Sequence, residues 1–281
     1  MLQLKNRAVL ISGCSTGIGR CLALGLHERG YRVFASVRKP EDMASLEEAG
    51  LESLVLDLDS SDSIQQAVAG VLKKTQGRLY ALINNGAYGL PGAVQDLSRD
   101  ALRQQFETNL FGTHELTCRV LPAMRAQNEG RIIQMSSILG FMCFPFRGAY
   151  QATKYALEGI SDTLRLELRD THVRVSLIEP GPIISRFREN AYAAFKANID
   201  IDNSAYRHQY AGLIRRLEGQ SGRMPFTLPP EAVLKKTIHA LEARNPKIRY
   251  RVTFPTSLFE FLRRILPYSV LDRMLAKAGD R

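Results

Sequence analysis

The stretch Ala8-Val9-Leu10-Ile11-Ser12-Gly13-Cys14-Ser15-Thr16-Gly17-Ile18-Gly19 decides the fold. Residues 8–12 read as a short apolar strand, and residues 17–29 as a helix that Gly30 ends. Between them, three glycines allow a tight turn that brings main-chain N–H groups against a pyrophosphate. The positive end of the helix adds to the attraction. The spacing is G-x-x-x-G-x-G, not the commoner G-x-G-x-x-G, and glycines also simply end strands. Its place inside a strand–turn–helix unit gives the turn its meaning.

Outward from this unit the same alternation repeats. Apolar strands are predicted at 31–37, 54–58, 79–83, 131–135 and 173–178. Helical periodicity covers 40–49, 64–75, 99–125 and 148–169. Such alternation predicts right-handed βαβ units, hence a doubly wound, Rossmann-like parallel sheet in one α/β domain over 1–281. Residues 183–228 are polar and without clear periodicity, and they follow a strand end, where ligands of open α/β sheets bind. They are expected to form an irregular substrate lid, the plain alternative being a surface insertion. Residues 229–281 form a C-terminal extension.

Composition excludes several classes. The chain has 281 residues, 45% of them apolar, with a net charge of +10. Lys and Arg are dispersed without a dense basic run, so a solvated basic surface is expected and no nucleic-acid partner. Cys14, Cys21, Cys118 and Cys143 show no metal spacing and read as free thiols in a reducing compartment. No apolar run is long enough to span a membrane, and the apolar N-terminal run is too short for a signal peptide. Cytoplasm is the expectation. In 258–277, apolar residues at helical spacing are interleaved with Arg263, Arg264, Arg273 and Lys277. That pattern suits either an anionic membrane surface or packing against the chain's own domain, and the second is expected.

Two further elements carry chemistry. Tyr150 and Lys154 stand at i and i+4, so phenol and ammonium leave one helix face together. A tyrosine with a pKa near ~10 is a poor base at neutrality, and a neighbouring ammonium favours its ionised form. Ser137, at the end of the 131–135 strand, precedes Tyr150 by 13 residues. From there its hydroxyl can converge on the tyrosine and donate to a carbonyl oxygen, or merely cap a helix.

The turn Gly13–Gly19, Asn84-Asn85-Gly86-Ala87, Asn109, Ser137, Tyr150 with Lys154, and Pro180-Gly181 together resemble the short-chain dehydrogenase/reductase family, in order from about Leu4 to Ser185. Residues 247–256 and 179–187 further resemble the branch holding hydroxysteroid and retinol dehydrogenases and bacterial aldehyde reductases. The resemblance implies a catalytic set of Asn109, Ser137, Tyr150 and Lys154. Tyr150 would exchange the proton, Lys154 would hold the nicotinamide ribose, and Asn109 would hold a relay water. Gly13, Ser15, Thr16, Gly17, Ile18 and Gly19 would cradle the dinucleotide. Asp57, Leu58, Asn85 and Gly86 would line the adenine, and Pro180, Gly181, Ile183 and Ser185 the carboxamide. Relatives commonly pair through helices matching 99–125 and 148–169, so a homodimer or homotetramer is implied. Two positions depart from the family: Gly86 and Ala87 are exchanged, and Ser185 replaces a usual threonine.

No acid ends the second strand, whereas Arg38 stands where a guanidinium can bind a ribose 2′-phosphate, so NADP is expected over NAD. Aromatic residues at 141, 144, 146, 187, 192, 195 and 206, with Met142, suggest a lipophilic aldehyde, ketone or alcohol. A 3-ketoacyl reductase acting on acyl carrier protein, whose acidic carrier would favour a basic rim, is the alternative within the reaction class. A non-catalytic NADP(H) sensor is the alternative outside it.

Overall fold

The computed structural model describes residues 7–219 and 225–279. Leu4, where the resemblance starts, and residues 220–224 of the expected lid lie outside that range, as does the side chain of Lys277.

The alternation read from the sequence is present. β1 (Ala8–Ile11), α1 (Gly17–Glu28), β2 (Arg32–Val37), the one-turn α2 (Ala44–Glu47), β3 (Glu52–Val55) and α3 (Ser61–Lys74) come first. They are followed by β4 (Ala81–Asn84), α4 (Arg99–Phe106), α5 (Gly112–Ala126), β5 (Gly130–Met135), α6 (Gly148–Glu167) and β6 (Val173–Glu179). The strands pair in the order β3-β2-β1-β4-β5-β6-β7, β7 being Arg249–Arg251, and every pairing is parallel. The chain thus winds outward from β1 to β3, then crosses to β4 and winds the other way. A crevice opens at that reversal, above the carboxyl ends of β1 and β4.

Both faces of the sheet are covered, which is why the strands read as unbroken apolar runs. On one face Val9, Ile11, Val33 and Ile83 pack against Leu22 and Leu26 of α1 and against Val233 and Leu241 of α9 (Glu231–Glu242). On the other, Leu10, Phe34, Leu82 and Ile132 meet Ile64 and Val68 of α3 and Leu116 and Val120 of α5. Successive strand residues point to opposite layers, the period-two signature of a sheet buried on both sides.

Three expectations need correcting. The third strand lies earlier than 54–58, so Asp57 and Leu58 fall in the loop after it. The single helix over 99–125 is divided by a π-helical turn, Glu107–Phe111, whose buried Asn109 bonds a neighbouring loop. The lid is not irregular. It folds into α7 (Phe187–Asn198) and α8 (Arg207–Leu217), which bury Ala191, Phe195, Tyr210, Leu213 and Leu217 in a small core of their own. Beyond β7, α10 (Phe254–Ile265) and α11 (Tyr268–Gly279) pack Phe259, Leu262, Leu271 and Leu275 onto Phe141, Met142 and Phe144.

Candidate active site

The turn after β1 has the shape its glycines allow. Gly13 (φ +72°) and Gly17 (φ +57°) are left-handed, a conformation that costs a side-chain-bearing residue about 1 kcal/mol or more. At Gly19 the constraint is space, since a Cβ there would run into the carbonyl oxygen of Gly13. Thr16 makes no side-chain cap, and the first turn of α1 holds no acid. The helix therefore presents its N-terminal N–H groups and its positive end without a protein counter-charge in that turn, a site suited to phosphate. These residues fit a dinucleotide.

The far wall of the crevice is tied down by Asn85. Its Nδ2 donates to the carbonyls of Ser12 (3.0 Å) and Gly13 (2.9 Å), while the Ser12 hydroxyl accepts from the main-chain N–H groups of Asn85 and Gly86. The Asn85 amide is thus engaged in joining β4 to β1. Leu58 does come to Gly86: a Cβ on the glycine would lie 3.0 Å from Leu58 Cδ1. Neither Gly86 nor Ala87 has a positive φ, so their exchange stores no backbone strain. Asp57 accepts through Oδ1 from the N–H of Asp59 (3.1 Å). Arg38 is exposed just past β2. Burial and the charge of Asp59 push the Tyr88 hydroxyl up to about 12, against the pull of Arg38.

Tyr150 and Lys154 lie on α6, buried to 8% and 3% exposure. Lys154 Nζ donates to the carbonyl of Met135 at the end of β5 (2.7 Å) and stands 5.6 Å from the centre of the Tyr150 ring. Burial pulls the ammonium down to about 8, opposed by Glu158 one turn further along. Burial pushes the Tyr150 hydroxyl up, opposed by a hydrogen bond with the Ser137 hydroxyl. Residues 137, 150 and 154 are therefore brought together at one strand end.

The Asn109 side chain bonds the surrounding loop and helix. Its Oδ1 accepts from Tyr88 N–H (3.1 Å), and its Nδ2 donates to the Tyr88 carbonyl (2.8 Å) and to Thr153 Oγ1 (3.2 Å). The side chain thereby pins the loop after β4 against α6. Pro180 accepts from Ile138 N–H (2.8 Å), and a Cβ on Gly181 would strike Thr253 Oγ1. Ile183 bridges to Leu228. Ser185 lies over the glycine turn, its Cβ 3.0 Å from where a Gly17 Cβ would stand.

Of the aromatic residues picked out by their positions, Phe187 is the one whose ring meets Tyr150 among the described ring contacts. Their centroids are 5.3 Å apart, edge to face. Phe195 is in the lid core, Phe144 packs on Phe259, and Phe146 on Tyr206 and Tyr210.

Two charged groups went unnoticed in the sequence. Glu179, 1% exposed at the end of β6, pairs with Arg249 (3.2 Å) and Arg251 (3.6 Å), and Arg249 also meets Glu158 (3.0 Å) and Asp162 (2.6 Å). Burial, aided by Glu158, pushes Glu179 up to about 7 against the two arginines. The only sequence signal was indirect, because 179–187 and 247–256 are the segments that carried the narrower resemblance. Arg147, three residues before Tyr150, is pulled down to about 10 by burial and by the charges of Arg216 and Arg188 on the lid helices. No local pattern marks it.

Comparison with known proteins gives the family. Residues 7–195 match the family model described as short chain dehydrogenase. The chain is 42% identical to the uncharacterized oxidoreductase YbbO of Escherichia coli (strain K12), covering 97% of this chain and 95% of that one. It is 33% identical to the NADPH-dependent 3-dehydrocapnine reductase of Ornithobacterium rhinotracheale, covering 96% of each. Human retinol dehydrogenase 8 is 32% identical, with 86% of this chain and 80% of the other covered. A glycine turn, a parallel sheet, and buried Tyr150 and Lys154 beside Ser137, matched along most of the length, leave one assignment: this chain belongs to the short-chain dehydrogenase family of oxidoreductases, near its retinol dehydrogenase-like branch.

Proposed function

We propose that the chain is an NADP(H)-dependent enzyme that interconverts an alcohol with an aldehyde or ketone on a lipophilic substrate. The observation that carries this reading is the burial of Tyr150 and Lys154 on one face of α6, with Ser137 beside them. When bound, the nicotinamide supplies or accepts the hydride. In the reducing direction the Tyr150 hydroxyl gives its proton to the substrate oxygen, and the Ser137 hydroxyl donates a hydrogen bond to that oxygen as charge develops on it. The Lys154 ammonium stabilises the phenolate left behind, and a water beside Asn109 would return the proton from solvent. Gly13, Ser15, Thr16, Gly17, Ile18 and Gly19 would hold the pyrophosphate, and Pro180, Gly181, Ile183 and Ser185 the carboxamide.

Arg38 and the lack of an acid at the end of β2 support NADP over NAD, as does the name of the 3-dehydrocapnine reductase. Phe187 over Tyr150 supports a lipophilic substrate, and so do relatives named for retinol and 3-dehydrocapnine. Exposed Leu102 and Phe111, with Tyr155, Ile160 and Leu166 on α6, support pairing of copies through these helices. An NADPH-depletion screen over aldehydes, ketones, steroids and acyl thioesters tests the reading. Medium-chain aldehydes are expected to turn over fastest. A faster acetoacetyl thioester would install the 3-ketoacyl reductase instead, and tight NADPH binding without turnover would install the sensor.

A further inference from the structure

Helix α10 carries two apolar faces. One, with Phe259, Leu262 and Leu266, packs onto the loop after Ser137. The other, Phe254, Leu258, Phe261 and Ile265, follows i, i+4, i+7, i+11 spacing along one side and is left open, at 59%, 37%, 58% and 57% exposure. Burying large apolar side chains is worth roughly 1.5–3 kcal/mol each, so a continuous open stripe calls for a partner that covers it.

The surroundings of the stripe indicate which partner. The ring of Phe254 meets that of Phe226 at a tilt, with centroids 5.3 Å apart, and residue 228, just beyond, bridges to Ile183 beside the cleft. Thr253, the residue before the stripe, is buried against Gly181. The stripe therefore begins beside the Gly181 segment of the crevice. Residues 254–277 hold Arg263, Arg264, Arg273 and Lys277 against Glu260 and Asp272, on a chain of net charge +10. The excess of cations over acids in this segment draws it to an anionic surface. Among the described residues no helix is long and apolar enough to cross a membrane. A twelve-residue helix with an open apolar side suits lying in the plane of an interface.

We infer that the α10 stripe seats the protein on an anionic lipid membrane, with the mouth of the cleft at the lipid surface. A lipophilic carbonyl compound dissolved in the bilayer would then enter without crossing water. The surface rests on exposure and charge alone, so its test is independent of any turnover.

The experiment is co-sedimentation of the full chain at low salt with vesicles of phosphatidylcholine and phosphatidylglycerol, and with phosphatidylcholine alone. Binding to the anionic vesicles is expected, severalfold weaker to the neutral ones, with at least a fivefold loss of bound fraction in Phe261→Glu. Ile265→Glu is measured beside it, so that a fold defect in one variant leaves the other to decide, with melting temperature as the check. Wild-type protein that stays in the supernatant with both vesicles overturns the inference. So does a stripe variant that binds vesicles as the wild type does. A stripe variant that halves the mass seen by light scattering, with no vesicle binding by the wild type, would assign the face to a second copy.

Discussion

The ring of Phe187, first residue of the lid helix α7, stands edge-on to the ring of Tyr150, with centroids 5.3 Å apart. The pairing joins the segment expected to form the lid directly to the residue proposed to move the proton. Beneath it, Gly89 leaves room, since a Cβ there would lie 2.8 Å from Phe187 Cζ. Phe187 thus forms a wall beside Tyr150.

Removing that wall has a defined consequence. Phe187→Ala is expected to raise KM for a medium-chain aldehyde roughly tenfold, the equivalent of about 1.4 kcal/mol of lost apolar contact, with a smaller change in kcat. Steady-state kinetics across aldehyde chain lengths check this, and a KM that is unchanged at every length would detach the lid from substrate binding.

Lys154 sets a pH dependence. Its folded-state pKa, pulled down to about 8 by burial, lies below the usual lysine value. The folded protein therefore loses this proton first as pH rises. If the ammonium is required, kcat/KM falls as pH passes through about 8. Stability moves the other way. The unfolded chain binds the extra proton between about 8 and 10.5, so unfolding becomes less favourable as pH climbs across that window. Lys154→Arg, always charged, is expected to move the kinetic limb upward by more than one pH unit. A limb that stays in place in this variant would assign it to another group.

Arg38 is expected to select the cofactor. A charge-assisted hydrogen bond to a 2′-phosphate is worth about 1.5–3 kcal/mol, so Arg38→Ala should lower the preference for NADPH over NADH by roughly 10- to 150-fold. The ratio of kcat/KM values for the two cofactors measures it. Comparable values in the wild type would remove the NADP assignment.

Arg249 holds three acids from α6 and β6. Arg249→Met leaves buried Glu158 and Glu179 short of a cation, and is expected to cost about 2 kcal/mol, less than for a fully buried pair because the arginine is partly exposed. The sign of the pH effect follows from Glu179, raised from 4.5 to about 7. A raised carboxylate pKa means that the folded state holds the proton longer, so its contribution falls as pH rises from about 4.5 towards 7. Without Arg249 the window extends upward, and the deficit of the variant in urea unfolding should be larger at pH 8 than at pH 5. Adding Glu179→Gln should recover part of it. An equal deficit at both values would mean that packing, not charge, ties β7 to β6.

What the sequence disclosed was the part encoded over short distances. Gly13, Gly17 and Gly19 announced a turn because glycine alone tolerates its backbone and its crowding. Tyr150 and Lys154 announced a shared face because a helix repeats every 3.6 residues. The lid helices stayed hidden because their buried residues, such as Phe195 and Tyr210, form a narrow stripe within polar surroundings. The π-turn depends on Asn109 bonding the main chain of Tyr88, a contact across 21 residues. The Glu179–Arg249 pair joins positions 70 apart through a three-residue strand that carries no periodicity. Tertiary contact, not local preference, makes these features.

The most direct measurement is NADPH oxidation with a medium-chain aldehyde by the wild type and by Tyr150→Phe, with NADPH affinity determined for both. Tyr150 as proton donor predicts a kcat at least about 100-fold lower in the variant, with NADPH affinity within about threefold. A variant that turns over as fast as the wild type contradicts it.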